Sequence, residues 1–531
     1  MSRPGLTPAA ARSPDRWDPA RLADKALAAH RAGDLAEADR LYRALLRRDP
    51  GNFDLLHLAG SVNHALGRLA EALRFLTAAV RWNARSALAL SDLGLVQHRL
   101  ERYADALASY DAVLALEPDN GDVVNRRAAA LLRLDRPDEA LAELERLLAV
   151  APDHAEALGN RGNVLVRLNR PDQAIASYDA ARRIVGDTAQ LLTNRAHALR
   201  RLDRVEEAVA DLHNAIARRP DFAEAHFELG MAQLTLGDFA GGWDEYEWRW
   251  KAAAFSAHQR PFTSPLWTGA QDLTGKTILL HGEQGLGDTI QFVRYVPLVA
   301  RRGASVVLEV QPELVALLSG FAGASCVIAR GRKLPRFDLH CPLMSLPRAF
   351  GTTAGTIPTA APYIQVAAAR AQIWAQRLPA HGPLIGIAWA GRRAHHNDRN
   401  RSLPLARLAP LLCGGGARFV SLQRDLRDGD AAILRQNPDV LDLGGVPEDF
   451  ADTAALIARL DAVVSVDTAV AHLAGALGKR LFLLLPFAAD FRWLRRRTDS
   501  AWYPTAELLR QPAFGDWDSV VARLRPLLNF T

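Results

Sequence analysis

The chain has 531 residues, 49% of them hydrophobic, and a formal net charge of +6 at pH 7. This length exceeds what one hydrophobic core supports, and the apolar content excludes a wholly disordered chain, so two or three folded domains are expected. Cys326, Cys341 and Cys413 are too widely spaced for a disulfide framework or a Cys-x-x-Cys metal pair, which indicates a reducing, cytoplasmic location. We find no export signal, no apolar stretch fit to span a membrane, and no basic stripe with interleaved aromatic residues of the kind that binds nucleic acid.

Residues 19–256 repeat with a period of about 34 residues, following a start at 1–18 that we expect to be disordered. Proline recurs at one position of the repeat, and twelve residues before it a small residue recurs where two helices cross. Tyrosine recurs as the bulky partner of the small position in the first helix. The residues that carry this pattern are Pro50, Pro118, Pro152 and Pro220; Ala38, Ala72, Ala106, Ala140, Ala174 and Ala208; and Tyr42, Tyr110, Tyr178 and Tyr246. The pattern resembles the tetratricopeptide-repeat family and predicts an α solenoid of about seven helix–turn–helix units.

Polar side chains recur at one position in the first helix of several units. Asn160 and Asn194 occupy it, and Asp92 stands at the same place in an earlier unit. Repeated side-chain amides can hold the backbone of an extended peptide, which is similar to the asparagine ladder of the eukaryotic O-linked N-acetylglucosamine transferases. The ladder is interrupted in other units by Leu58, Arg126 and Glu228. The predicted partner of this groove is a protein or a peptide.

After an aromatic run at 242–250, the pattern changes from paired helices to short β-rich runs that alternate with helical stretches. Such alternation predicts parallel sheets. We expect a linker at 257–275 and then two doubly wound α/β lobes, 276–380 and 381–531, with a ligand cleft at the carboxyl ends of their strands. The predicted strands are Lys276–His281, Ser305–Val310, Ser325–Ala329, Leu384–Ala390, Arg418–Leu422, Ala462–Val466 and Arg480–Leu485.

Two of these strands run into segments that fit an anionic ligand. The first segment is the glycine-rich turn 281–288, which lacks the Lys-Ser/Thr of a Walker loop and the third glycine of a dinucleotide fingerprint. Its Asp288 is either a helix cap or a catalytic carboxylate. The second is the arginine-rich segment 388–402, which is either a phosphate clamp or a solvated basic loop. The adjacent histidines His395 and His396 have no partner motif that would make a metal site.

A third segment, 464–478, is a buried strand that leads into a helix of small residues. Asp467 and Thr468 stand where they can cap this helix, whose exposed amides suit a diphosphate. His472 lies one turn further along, on the face of Thr468. Tight packing of the helix on its sheet explains the small residues without a ligand, but it explains His472 less readily.

The phrases HGEQGLGDTIQFVRY (281–295), SVDTAVAHLAGALGK (465–479), FRWL (491–494) and SAWYP (500–504) together resemble bacterial heptosyltransferase-like proteins of glycosyltransferase family nine, in the version fused to tetratricopeptide repeats. The resemblance covers residues 265–531. It implies a two-lobed GT-B fold that binds a nucleotide-sugar in its cleft, mainly through the second lobe, and that needs no metal and no cofactor.

The resemblance also implies roles for individual residues. Asp288 matches the general base that acts on the acceptor hydroxyl, and Thr468 matches the helix start that receives the donor's diphosphate, with His472 completing the motif. Arg401 lies near the position of a phosphate-neutralising lysine in these relatives, and Gln423 is an expected nucleotide contact. Further substrate-binding positions are Glu283, Gln284, Gly285, Gly287, Gln291, Asp467 and Ala469.

The sequence thus predicts an inverting, metal-independent glycosyltransferase that moves a sugar from a nucleotide-sugar to a hydroxyl of a protein or glycan presented by the solenoid. The alternative is a non-catalytic scaffold whose degenerate GT-B-like half only binds a ligand. Asp428 and Asp430 form an Asp-x-Asp pattern, but their charged surroundings indicate a surface loop rather than a metal site.

Overall fold

The structure, a computed structural model, describes residues 18–253, 255, 259–395, 397–412 and 416–528. The predicted disordered start lies outside the described residues except for Asp18, which caps the first helix. His396 and Cys413 also lie outside them. The chain divides into two compact units, 1–165 and 166–531, and each is described in turn.

The first unit consists of helices that pack in consecutive pairs. The alanines of the repeat pattern are fully buried where two helices meet, and Gly94 lies so close to Tyr110 that a Cβ there would be 2.5 Å from the ring. Side chains of Asp34, Asn52 and Ser86 cap the helices that follow them. The helices are α1 Pro19–Arg31, α2 Leu35–Leu46, α3 Phe53–Ala65, α4 Leu69–Trp82, α5 Ala87–Arg99, α6 Tyr103–Leu116, α7 Gly121–Arg133, α8 Pro137–Val150 and α9 Ala155–Arg167.

The turn inside each helix pair has one residue in the left-handed region of backbone space. This regularity explains why glycine, aspartate and asparagine dominate the position, since these residues adopt a positive φ at the least cost. The left-handed residues are Gly33, Gly67, Glu101, Asp135, Asn169, Asp203 and Gly237.

The second unit begins with the remaining repeat helices, α10 Pro171–Val185, α11 Ala189–Arg201, α12 Val205–Arg218, α13 Ala223–Leu236 and α14 Phe239–Tyr246. The aromatic residues of the last of these helices are not exposed to solvent. Trp243 and Tyr246 are about 2% exposed and belong to the same hydrophobic core as the strands and helices that follow. The final helix pair and the α/β region are therefore packed as one body.

Two parallel sheets form the rest of the second unit, and they confirm the predicted fold class of a helical-repeat solenoid followed by an α/β region. The first sheet has the strand order β3-β2-β1-β4 and the second has the order β10-β9-β8-β5-β6-β7. The strands are β1 Thr277–His281, β2 Ser305–Val310, β3 Ala324–Ala329, β4 Leu339–Pro342, β5 Leu384–Ala388, β6 Arg418–Ser421, β7 Leu441–Asp442, β8 Ala462–Val466, β9 Arg480–Leu485 and β10 Ala506–Arg510.

The helices between the strands are mostly short. They are α15 Leu286–Phe292, α16 Val296–Arg301, α17 Val315–Leu318, α18 Leu346–Ala349, α19 Ala368–Arg377, α20 Asp398–Arg401, α21 Leu405–Leu412, α22 Asp430–Gln436, α23 Phe450–Ala458, α24 Ala469–Ala476 and α25 Trp517–Leu524. Throughout the described part of the chain, no helix combines the length and the apolar composition that crossing a lipid bilayer requires.

Candidate functional site

The strand orders bring three of the sequence-predicted segments to the places where open α/β sheets bind ligands. In the second sheet the chain order reverses between β8 and β5, and in the first sheet it reverses between β1 and β4. Ligands of such sheets bind beyond the carboxyl ends of the strands at this reversal. The turn after β1, the loop after β5 and the start of α24 after β8 all stand there.

Asp288 is both a helix-capping residue and one half of an ion pair. Its Oδ2 accepts a hydrogen bond from the backbone N–H of Gly285 at 2.7 Å, which ties the turn to the start of α15. Its Oδ1 lies 2.5 Å from Nη2 of Arg492. Burial raises the pKa of Asp288 and the Arg492 guanidinium opposes that rise, while 21% of the side chain stays accessible.

Arg492 is a site residue that the sequence reasoning did not single out. Besides Asp288, its guanidinium donates to Oε1 of Gln291 at 2.7 Å and to Oδ1 of Asp490 at 2.7 Å, and the residue is only 7% exposed. The phrase FRWL, used above only as a family signal, contains this arginine. Gln291, a predicted substrate contact, is fully buried and uses its side-chain oxygen to hold Arg492.

Thr468 is the residue that precedes α24, but its hydroxyl does not cap the helix. The hydroxyl lies 3.0 Å from that of Ser465, and the first backbone N–H groups of α24, beginning at Ala469, receive no side-chain cap. A helix start without a cap presents unsatisfied donors and a partial positive charge. The structure therefore leaves an anion-accepting helix end beside Thr468.

His472 is buried and packs against both lobes. Its Nδ1 lies 2.9 Å from the Tyr503 hydroxyl, its ring stacks on Trp493 at a centroid distance of 5.4 Å, and its Nε2 lies 3.7 Å from Oδ1 of Asp467. Burial lowers the pKa of His472 to about 3, so the ring is neutral near pH 7. A Cβ on Gly287 would be 2.7 Å from this ring, which explains why the turn after β1 needs glycine there.

Asp467 lies between His472 and the arginine-rich loop. Burial and the nearby Asp490 carboxylate raise the pKa of Asp467 to about 6. Its backbone carbonyl accepts a hydrogen bond from Nη1 of Arg401 at 3.0 Å. The segment after β8 is thus joined to the loop after β5.

The guanidinium of Arg401 has further N–H donors besides the one that bonds to the Asp467 carbonyl. Its guanidinium lies directly on Gly391, where a Cβ would be 2.5 Å from Nη2, and its Nε is buried without a hydrogen-bond partner in the described part of the chain. Arg401 as a whole is only partly buried, and an arginine that is held in place by one backbone carbonyl and keeps accessible surface is suited to a phosphate oxygen. Of the predicted phosphate contacts in this loop, Arg401 is the one that the structure brings to Asp467 and Thr468.

Three other predicted substrate contacts use their polar atoms within the protein. Glu283 accepts from Nη2 of the fully buried Arg249 at 2.9 Å, and burial raises the pKa of Glu283 to about 7. Gln284 donates to the Tyr246 hydroxyl at 2.9 Å. Gln423 accepts from the backbone N–H groups that follow β5 and donates to a backbone carbonyl, so its side chain shapes the loop that carries Arg401. A nucleotide contact for Gln423 stays a prediction.

Within the described ranges, no group of three or more His, Cys, Asp or Glu side chains could hold a metal ion. In the Asp-x-Asp pattern, Asp430 is buried and accepts from the indole N–H of Trp389 at 2.9 Å, whereas Asp428 is exposed beside Arg393. The two carboxylates therefore have separate partners and separate local roles.

The predicted peptide-groove residues hydrogen-bond to neighbours on the first helices of the units. In the first compact unit, Asp92 pairs with His57 at 2.8 Å, and Asn160 donates to Asn125 at 2.8 Å. In the second unit, the side-chain oxygen of Asn194 accepts from Gln190 at 2.9 Å. Each of these side chains is only partly buried, so each keeps accessible surface.

Family models match segments in both parts of the chain. The description "Tetratricopeptide repeat" matches residues 23–86, 125–187 and 193–254 in one model and 89–124 in another. The description "Glycosyltransferase family 9 (heptosyltransferase)" matches residues 431–484. The N-terminal part consists of tetratricopeptide repeats, and the C-terminal part carries a family 9 glycosyltransferase match, which confirms the resemblance seen in the sequence. The matched part of the second lobe contains Asp467, Thr468 and His472, whereas Asp288 and Arg401 lie outside it.

Among known proteins, Protein FlbA of Caulobacter vibrioides is 27% identical over 337 residues, which cover 58% of this chain and 55% of that protein. The chain thus spans about half the length of the curated relative that it matches. Among solved structures, a tetratricopeptide-repeat protein from Parabacteroides merdae covers 43% of this chain and 91% of its own, at 18% identity and a TM-score of 0.40. A thermophilic repeat protein from Thermus thermophilus covers 34% of this chain and 100% of its own, at 24% identity and a TM-score of 0.32.

Proposed function

We propose that the chain is an inverting, metal-independent glycosyltransferase whose repeats hold the protein or glycan that receives the sugar. The observation that carries the proposal is the meeting of three features: the uncapped start of α24 at Thr468, the partly buried guanidinium of Arg401 on the Asp467 carbonyl, and the partly accessible carboxylate of Asp288. The family 9 match over 431–484 supports the same class of reaction.

The donor would bind with its diphosphate on the start of α24. The backbone N–H groups there and the Arg401 guanidinium supply positive charge where negative charge grows as the bond to the sugar breaks. Because Arg401 is already fixed by the Asp467 carbonyl, it needs no reorganisation during the reaction.

Asp288 would take the proton from the acceptor hydroxyl. The acceptor oxygen then forms a bond to the anomeric carbon while the bond from that carbon to the diphosphate oxygen breaks, so the configuration inverts and a nucleoside diphosphate leaves. Only the ionised form of Asp288 can accept a proton. The rate should therefore fall at acidic pH, as the carboxylate becomes protonated.

The solenoid would supply the acceptor. Tetratricopeptide repeats imply binding to other proteins, and the partly accessible Asp92, Asn160 and Asn194 are the side chains on which we expect a peptide backbone to lie. Their present hydrogen bonds are to other side chains, which can exchange for bonds to a ligand.

The test is donor binding by calorimetry. UDP-, GDP- and ADP-sugars are compared with a CMP-sugar, which has a single phosphate, for wild type and Arg401→Gln. We expect one diphosphate donor to bind saturably, the CMP-sugar to bind weakly, and Arg401→Gln to weaken binding by about tenfold or more, as loss of a charged hydrogen bond does. Failure of every nucleotide-sugar to bind would contradict the proposal.

A second candidate, the non-catalytic scaffold, is favoured by one observation. Both oxygens of Asp288 already have partners, Gly285 and Arg492, so the carboxylate is bound within the protein when no acceptor is present. Donor binding without any turnover, unchanged by Asp288→Asn, would support the scaffold.

A further inference from the structure

The segment 490–495 touches the solenoid, the Asp288 turn and α24 at once. We call it the coupling segment. It runs from Asp490 to Arg495 after β9 and includes a short 3-10 helix, Phe491–Trp493. All of its contacts described below lie within the second compact unit, 166–531.

On its solenoid side, the coupling segment is held by both apolar and charged contacts. The Phe491 ring packs edge-on against Trp243 of α14 at a centroid distance of 5.7 Å. Arg495 donates to Oδ1 of Asp203 at 2.7 Å, to the Asp203 carbonyl at 2.8 Å and to Glu206 at 2.6 Å. Because Arg495 is 13% exposed and bidentate toward one turn, this contact is worth more than a surface ion pair.

On its site side, the coupling segment holds the proposed base. Arg492 stands between the carboxylates of Asp288 and Asp490, and Gln291 accepts its third hydrogen bond. The next residue, Trp493, stacks on His472. Since Arg492 is buried, its position is set by these protein contacts and by the backbone of the coupling segment rather than by solvent.

The backbone of the coupling segment is constrained further. Leu494 has φ 49°, a conformation that is costly for a non-glycine residue and persists only where the surroundings impose it. Arg510 donates to the carbonyls of Trp493 and Leu494 at 3.2 and 2.7 Å. A displacement at Arg495 is therefore passed to Arg492 and not absorbed by a flexible loop.

We propose that Arg492 is a positioning residue that orients the Asp288 carboxylate, and that the last repeats of the solenoid hold Arg492 in place through Phe491 and Arg495. The inference rests on the proposed role of Asp288 as the base. Its consequence is that the transfer site is complete only when the coupling segment is seated on the solenoid, so the repeats are part of the catalytic body as well as a site for the partner.

Loss of the Arg492 charge would leave the partly buried carboxylates of Asp288 and Asp490 without the guanidinium between them. Asp288 would then be ionised only at higher pH, because a neighbouring guanidinium lowers a carboxyl pKa by about 1–3 units. The charged and titratable groups around Asp288 that stay in place in such a variant are Asp490, Arg401, His472, Glu283 and Tyr246.

The experiment uses the full chain and follows the pH profile of kcat/KM with whichever nucleotide-sugar the wild type turns over. Arg492→Gln should move the acidic limb upward by about 1 unit or more and lower kcat about a hundredfold. Arg492→Lys keeps the positive charge but cannot make all three hydrogen bonds. We therefore expect the acidic limb of its pH profile to lie at the wild-type position and its kcat to be only partly restored. Arg495→Gln, outside the site, should lower kcat with donor KM unchanged, and the matched control Arg497→Gln, whose partner is the exposed Asp499, should change neither.

A purely structural role for Arg492 would give a different result. Arg492→Gln would then melt at a lower temperature, but its kcat per folded molecule and the acidic limb of its pH profile would match those of the wild type. That result would show the proposal to be wrong. An Arg495→Gln variant with unaltered kcat would overturn the part played by the solenoid. Should Arg492→Gln not fold, Arg492→Lys carries the comparison, and kcat equal to that of the wild type would count against the proposal.

A readout without turnover separates this inference from the proposed function. Melting midpoints are measured for Asp288→Asn, Arg492→Lys and the double variant. Direct coupling predicts that the two effects are non-additive by about 2 °C or more, and additive midpoints would refute the contact on which the inference depends. If no nucleotide-sugar is turned over but the midpoints are non-additive, the proposed function fails while the coupling stands.

Discussion

Replacement of Gly287 by alanine tests whether the two lobes meet where the structure places them. A Cβ at this position would be 2.7 Å from Cδ2 of His472 and 3.5 Å from Cα of Ala469. Carbon atoms at optimal separation are about 3.5 Å apart or more, so the ring or the turn must move by roughly 1 Å. The His472 ring cannot yield easily, since Tyr503 holds one edge and Trp493 covers one face.

Two effects of Gly287→Ala oppose each other. Alanine is favoured over glycine in a helix by about 1 kcal/mol, and overpacking a well-filled contact costs about 1–3 kcal/mol. Because the clash involves a fixed ring, we expect net destabilisation of about 1–2 kcal/mol. A shift of this size between Asp288 and the start of α24 should also lower turnover by about a hundredfold.

Urea unfolding and donor turnover measure the two effects. Gly355→Ala is the matched control, because a Cβ there meets no atom within 4 Å. A Gly287→Ala protein that is as stable and as active as the Gly355→Ala protein would refute the described approach of α15 to α24.

Three further substitutions test single contacts. Glu283→Gln should flatten the pH dependence of the free energy of unfolding between about pH 4.5 and 7. Burial raises the pKa of Glu283 from 4.5 to about 7, so in this pH range the folded protein binds a proton on Glu283 that the unfolded chain does not bind. The stabilisation from this proton is complete below about pH 4.5 and is lost as the pH rises to about 7. Urea unfolding at pH 5 and pH 8 checks this, and the same change in the free energy of unfolding between the two pH values for variant and wild type would contradict it. Tyr503→Phe should lower the free energy of unfolding by about 1 kcal/mol through the lost hydrogen bond to His472, and an unchanged urea midpoint would argue against that bond. Thr468→Val should reduce donor affinity about fivefold or more while changing stability by less than about 1 kcal/mol, as calorimetry and urea unfolding would show; full donor affinity would exclude a role for the hydroxyl.

The helical half was the most predictable part of the fold because its pattern recurs. One 34-residue period locates the buried alanines, the tyrosines and the turns, and each unit supports the assignment of the others. Among the strands, the apolar runs such as Ala462–Val466 and Arg480–Leu485 were predicted to the residue. The strands β4, β7 and β10 were missed because they are short or carry proline and charged residues, so tertiary pairing and not local propensity makes them strands.

The candidate site was predictable where one segment contains the chemistry. Asp288 lies in the first turn of the helix that follows β1, Thr468 directly precedes the helix that follows β8, and these two helix starts meet where Gly287 approaches His472 and Ala469. Arg492 was not predictable from its surroundings in the chain, since its partners Asp288 and Gln291 lie about 200 residues earlier, as the separations of 204 and 201 residues show. Only the folded contact distinguishes it from the many other arginines of the chain.

We propose above that Asp288 activates an acceptor hydroxyl at a site where a nucleotide-sugar is bound. The most direct measurement compares the rate of sugar transfer or slow donor hydrolysis by wild type and Asp288→Asn, both saturated with the same donor. We expect equal donor affinity and a loss of turnover of about a hundredfold or more in Asp288→Asn, the range typical of a general base. Equal turnover by the two proteins, or loss of donor binding in Asp288→Asn, would contradict it.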